Sequence, residues 1–146
     1  PGVPPVWFRL HAYVDAASGR ERVVLAYGDP HATPVLLRVQ REVLLERVRG
    51  TVPGREQSRW LATLRAFAAH GAGVAIMETD EHGDSLFTAG PRPADAEVNA
   101  MLARRHVGDR VAVPLVGADE SGADGWPAAL VAGGIALGAP RALASA

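Results

Sequence analysis

The chain has 146 residues, 48% of them apolar and 21% charged, a balance that suits one globular domain with its own core and excludes a disordered chain. The formal net charge is −1 and the pI about 6.6, so the basic excess that marks a nucleic-acid binder is missing. There is no cysteine, which excludes disulfides, zinc–thiolate sites and thiol catalysis.

Residues 6–14 are rich in aromatic and β-branched side chains and read as a strand. A turn signal over Ala17-Ser18-Gly19-Arg20 follows, and Arg22 to Tyr27 reads as the returning strand of a hairpin. Gly28-Asp29-Pro30 breaks that strand, and Pro34 opens another over Val35 to Val39. In 40–57 a short helix around Val43-Leu44-Leu45 is one reading, ended by Gly50 and Pro53-Gly54.

Ser58 to His70 carries the clearest helical pattern, with Trp60, Leu64 and Phe67 at i, i+4 and i+7, Leu61 and Ala68 widening the stripe, Ser58 as N-cap and Gly71 as the stop. Val74 to Met77 reads as a short buried strand, and 78–93 as a polar loop. Ala94 to Arg105 predicts a second amphipathic helix with Val98, Met101 and Leu102 on one face, and Val111 to Val116 a further strand. The Gly/Ala-rich tail from Ala118 has little pattern, and Trp126 within it suits core packing, a pocket wall or a dimer seam. The fold class expected is α/β (α+β): a mixed, twisted sheet flanked by helices in a single domain over 1–146.

All fifteen cationic residues are arginine, in a setting rich in Ala, Gly, Val and Pro, which reads as the codon bias of a GC-rich, actinobacterial type of genome. No signal peptide is visible, and the longest near-apolar run, 127–139, is too short to span a bilayer. The expectation is a cytoplasmic protein with no membrane or nucleic-acid partner.

The segment with the most chemistry is Glu78-Thr79-Asp80-Glu81-His82-Gly83-Asp84, which follows a buried strand, where α/β folds place ligands. If extended, it points Glu78, Asp80, His82 and Asp84 the same way. Such a face can hold a hard divalent ion or supply an acid–base pair, and it can equally be a solvated acidic loop. The five histidines show no metalloprotease spacing: His70 and His106 end helices, His31 lies in a turn, and His11 in its strand faces either core or cleft. Arg104-Arg105 beside Arg110 reads as a small basic patch at a solvated helix end.

The strand Val23-Val24-Leu25-Ala26-Tyr27, then Gly28-Asp29, then Pro34-Val35-Leu36-Leu37-Arg38-Val39 resembles GTP cyclohydrolase II, a zinc enzyme that opens riboflavin synthesis. The resemblance continues through the helix from Ser58 and Gly71-Ala72-Gly73, covers residues 6 to about 84, and echoes weakly at Arg110 to Gly117. Where the family has His-Ser-Glu-Cys, this chain reads Gln40-Arg41-Glu42-Val43; where the family has Cys-Asp-Cys, it reads Gly54-Arg55-Glu56. The three zinc-ligand cysteines thus stand as Val43, Gly54 and Glu56, and the family's Asp-x-Arg catalytic segment has no counterpart.

By this resemblance Arg38 and Glu42 keep positions of the substrate-binding motif, Arg38 once facing a triphosphate, and Glu81 matches a nucleotide-binding Glu. Arg38 also suits a structural ion pair, perhaps with Glu42. The expectation is a zinc-independent enzyme acting by acid–base catalysis on a small polar molecule, in secondary metabolism, and not a GTP cyclohydrolase. Its catalytic groups would be Glu42, Glu81 and His82 and its substrate-binding groups Arg38, Arg41, Glu56 and Asp80, with no metal and no cofactor. The other reading is a non-catalytic ligand-binding or partner protein. The family's habit implies a homodimer.

Overall fold

Two strand-forming runs fold back on each other to begin the sheet. β1 (Phe8–Val14) and β2 (Glu21–Gly28) pair antiparallel, from Phe8 opposite Tyr27 to Val14 opposite Glu21. At the turn Gly19 takes φ 70° and donates its N–H to the Asp15 carbonyl at 2.7 Å, a conformation glycine adopts without the Cβ penalty. The remaining elements are β3 (Val35–Glu42), α1 (Arg55–His70), β4 (Ala72–Thr79), α2 (Pro93–Val107), β5 (Ala112–Val116), α3 (Trp126–Ala132) and β6 (Arg141–Ala142). The computed structural model describes residues 7–16, 19, 21–42, 55–79, 93–117 and 126–143.

The six strands form one sheet in the order β1-β2-β4-β3-β5-β6. The β1-β2-β4 side is antiparallel, and the β4-β3-β5-β6 side is parallel. β3 and β4 are therefore joined by a crossover that carries α1, as parallel neighbours require. The chain is a mixed α+β protein with a six-stranded mixed sheet flanked by helices.

Alternation along the strands sends successive side chains to opposite faces. Val35, Leu37 and Val39 of β3, with Val24, Val74 and Ile76, meet Ala100, Leu102, Ala103 and Val107 of α2 and Leu130 of α3. On the other face Leu36, Ala75 and Leu115 meet Phe67 and Trp60 of α1. Phe67 is fully buried, worth about 1.5–3 kcal/mol as a transfer term. It lies so close to β4 that a Cβ on Gly73 would sit 2.4 Å from its ring carbons. Gly71 ends α1 at φ 91°, its N–H donating to the Phe67 carbonyl at 2.8 Å.

Several expectations need correction. α1 begins at Arg55, so Ser58 is its fourth residue and not its N-cap; Arg, Glu and Gln extend a helix readily once Pro53-Gly54 is passed. Trp60, Leu61 and Leu64 stay half-buried, and the fully covered positions are Ala62, Thr63 and Phe67. On α2, Met101 is 62% exposed while Leu102 and Ala103 are buried, because the helix is rotated to set its small residues against the sheet. Glu78 and Thr79 continue β4 rather than starting the loop. The tail, unassigned by pattern, forms α3 and the two-residue β6. The suggested helix around Val43 lies outside the described residues.

Candidate functional site

Ligands in open α/β sheets sit beyond the carboxyl ends of parallel strands. Here that end is set by the β3–β4 register, which puts Arg41 opposite Glu78 and Glu42 opposite Thr79. Arg41 and Glu42 are the last two residues of β3, and Asp80 follows the last residue of β4 in sequence. Glu56 is the second residue of α1. The side chains of Arg41, Glu42 and Glu56, and residues Asp80, Glu81 and His82 as a whole, lie outside the described residues.

Arg38 is described in full. It is completely buried, and its Nη1 donates to the Leu115 carbonyl of β5 at 3.1 Å. A guanidinium keeps its charge when buried and tolerates such a place by donating to fixed acceptors. Glu78 turns to the face covered by α2, where Asn99 Nδ2 donates to its Oε1. Among the described residues no three His, Cys, Asp or Glu side chains are grouped to hold a metal ion.

A second concave site lies at the opposite end of the sheet. β2 and β4 are in register with Tyr27 opposite Gly73, and Gly73 stands six residues before Thr79, about 20 Å along the strand. There an open pocket of about 190 Å³ is walled by Arg9 and His11 of β1, Asp29 after β2, Arg105 and His106 at the end of α2, and Arg110. The alternation of β1 turns Arg9, His11 and Tyr13 to this one face.

Three sets of contacts fix the pocket. Tyr13 Oη and His106 Nε2 share a hydrogen bond of 2.7 Å, and the His11 and His106 rings lie 4.6 Å apart. Arg105 reaches to 6.0 Å from the centre of the Tyr13 ring, within cation–π range. Arg110 closes the base: it donates from Nε to the Val107 carbonyl at 2.9 Å, from Nη2 to the His106 carbonyl at 2.6 Å, and from Nη1 to the Asp29 and Ala32 carbonyls at 3.4 Å. It thereby caps the carbonyl end of α2 and pins the turn after β2.

The electrostatics are those of unbalanced positive charge. Burial lowers the pKa of His106, and His11 and Arg105 lower it further. Burial also lowers that of Arg110; Asp29 opposes the fall and Arg9 adds to it. Asp29 is the one carboxylate among the described lining residues, and its Oδ1 also accepts the His31 N–H at 2.8 Å.

The sequence alone leaves His11 between core and cleft and suggests a solvated helix end for Arg105 and Arg110. The period-two run Arg9-x-His11-x-Tyr13 was a visible signal of a polar face on a strand. What no local pattern shows is that β1 lies against the end of a helix more than 90 residues later.

The sequence pattern of the family described as GTP cyclohydrolase II matches residues 3–100. Among curated proteins nothing matches. Solved structures with some likeness include an aminopeptidase from a marine sediment archaeon, Thaumarchaeota archaeon, at 9% identity and TM-score 0.40, covering 80% of this chain and 22% of that one. A thermostable esterase aligns at 8% identity and TM-score 0.37, covering 91% of this chain and 54% of that one. The chain thus spans about a fifth and about half of the lengths of these two, and at such scores neither bears on fold or activity. The family match covers well over half of the chain and includes β1 to β4, so this protein belongs to the GTP cyclohydrolase II family.

Proposed function

We propose that this chain is a zinc-independent member of its family that takes a small polar molecule at the carboxyl ends of β3 and β4 and acts on it by acid–base chemistry. The observation that carries this reading is the donor set: the positions matching the three ligand cysteines are Val43, Gly54 and Glu56. Hydrogen and isopropyl side chains donate no electron pair, and a catalytic zinc needs about three protein ligands. Zinc therefore does not fit, and no step is routed through it. In this reading Glu42, Glu81 and His82 move protons and Arg41, Glu56 and Asp80 bind substrate, while Arg38, expected beside them, is fully buried and ties β3 to the Leu115 carbonyl of β5 instead. The register of Glu42 with Thr79 favours it, since β3 and β4 end side by side. A homodimer and a place in secondary metabolism accord with it.

The test is a turnover assay on purified protein with GTP and with a panel of small polar metabolites, beside metal analysis. No turnover of GTP, no stoichiometric zinc, and turnover of a panel member that Glu42→Gln or Glu81→Gln abolishes at unchanged melting temperature are expected. Stoichiometric zinc with GTP turnover overturns the reading. A second reading, ligand binding without catalysis, is favoured by the sequence, which has no counterpart of the family's Asp-x-Arg catalytic segment. Binding without turnover selects it. Light scattering tests the dimer.

A further inference from the structure

The geometry points to a second ligand site, for a phosphate group, in the pocket between β1 and the end of α2. It is separate from the site proposed above and stands or falls independently of it.

Cations near a helix carboxyl end are ordinary, since they offset the negative pole of the helix. That accounts for Arg104, Arg105 and His106. It does not account for Arg9 and His11, which come from another element and line the same cavity. Three carbonyls at this helix end are also already met, those of His106 and Val107 by Arg110 and that of Arg104 by the Gly108 N–H at 2.9 Å. What Arg9 and Arg105 meet locally is uncharged, the Gly28 carbonyl and the Tyr13 ring, and neither neutralises a cation.

The balance is specific. Asp29 offsets Arg110, leaving Arg9 and Arg105 without a lining carboxylate and two imidazoles beside them. Two guanidinium charges match a phosphate dianion, whose oxygens accept the paired N–H groups of arginine. His11 and His106 add ring N–H donors. The cavity has room for a phosphate and a small group attached to it. A single carboxylate would leave one positive charge unmet. Arg9 is held near the rim by its bond from Nη2 to the Gly28 carbonyl at 3.3 Å, so a bound anion completes an existing arrangement.

The test is a titration of the purified full chain with inorganic phosphate, with glycerol 3-phosphate and with glycerol, followed through the His11 and His106 ring signals by NMR. Both phosphates are expected to give saturable shifts and glycerol none. Tighter binding of the ester identifies a phosphorylated small molecule as the occupant; equal binding identifies free phosphate. Arg105→Gln and Arg9→Gln each remove a charge-assisted hydrogen bond and are expected to weaken binding about tenfold or more. Arg104→Gln makes the same charge change outside the lining, where Arg104 Nη1 meets the Gly133 carbonyl, and is expected to stay within about twofold of the parent. Shifts that rise linearly without saturation, equal shifts with glycerol, or equal weakening by Arg104→Gln overturn the site.

Discussion

Replacing Gly73 by alanine tests how α1 is docked on the sheet. Gly73 is not among the residues with positive φ, so its backbone accepts an L side chain without strain. In open space the substitution would stabilise the protein by about 0.4–1 kcal/mol, because alanine restricts the unfolded chain. Here the new methyl would lie 2.4 to 2.6 Å from three ring carbons of Phe67. That ring is fully buried and packed with Leu36, Ala75 and Leu115, so it can retreat only by lifting α1. Overpacking of this kind costs about 1–3 kcal/mol. The melting temperature should fall by about 2–12 °C at this chain length, with a matching shift of the urea midpoint at unchanged slope. Phe67→Leu, itself destabilising, should remove most of the further penalty of Gly73→Ala, giving a coupling of about 1 kcal/mol or more in a double-mutant cycle. A Gly73→Ala protein as stable as the parent, or one whose loss simply adds to that of Phe67→Leu, would show that the helix does not press on β4 at this point.

Three further outcomes are expected. Arg38→Ala leaves a cavity and strips the Leu115 carbonyl of its donor, so denaturant unfolding should show a loss of about 2–4 kcal/mol; unchanged stability with weakened ligand binding would place Arg38 at a ligand instead. The lowered pKa of His106 means that the unfolded chain binds this proton more readily than the folded one. Its contribution to stability is therefore fully present above about pH 6.5 and is lost as pH falls through the lower folded value, and His106→Gln should flatten that part of the melting profile. Met101→Gln, on the outer side of α2, should change stability by no more than about 0.5 kcal/mol, and a larger loss would show that a partner covers this surface.

Strands β1 to β5 are legible because each announces itself locally. The 8–14 and 21–28 runs are β-branched and aromatic, Gly19 and Gly28 mark their ends, and Gly71 stops α1. Rotation of a helix about its axis is less visible: Val98, Met101 and Leu102 look equivalent by composition, yet the sheet accepts Leu102 and Ala103 and rejects Met101. α3 and β6 escaped notice because Ala and Gly carry almost no periodic contrast, and β6 owes its two residues of pairing to Leu115 and Val116 of β5. The candidate site at the β3 and β4 ends rested on a family resemblance as well as on charges; only the strand ends and Arg38 are described there. The parts of the basic pocket are visible singly, as His11 on its strand and the Arg105 and Arg110 patch, but they are too far apart in sequence for any spacing rule to join them.

The Tyr13–His106 bond spans 93 positions, and this separation orders events during synthesis. The hairpin of β1 and β2 needs only its own turn, so it can close soon after emerging, whereas its docking onto α2 must wait until residue 106 has been made. The equilibrium cost of so long a loop rises only logarithmically with its length. A solute held between Arg9 and Arg105 would bind the finished molecule and none of its half-assembled forms, and by mass action would drain the population in which the hairpin is detached. Phosphate in the medium would then act as a folding aid for this chain, raising refolding yield.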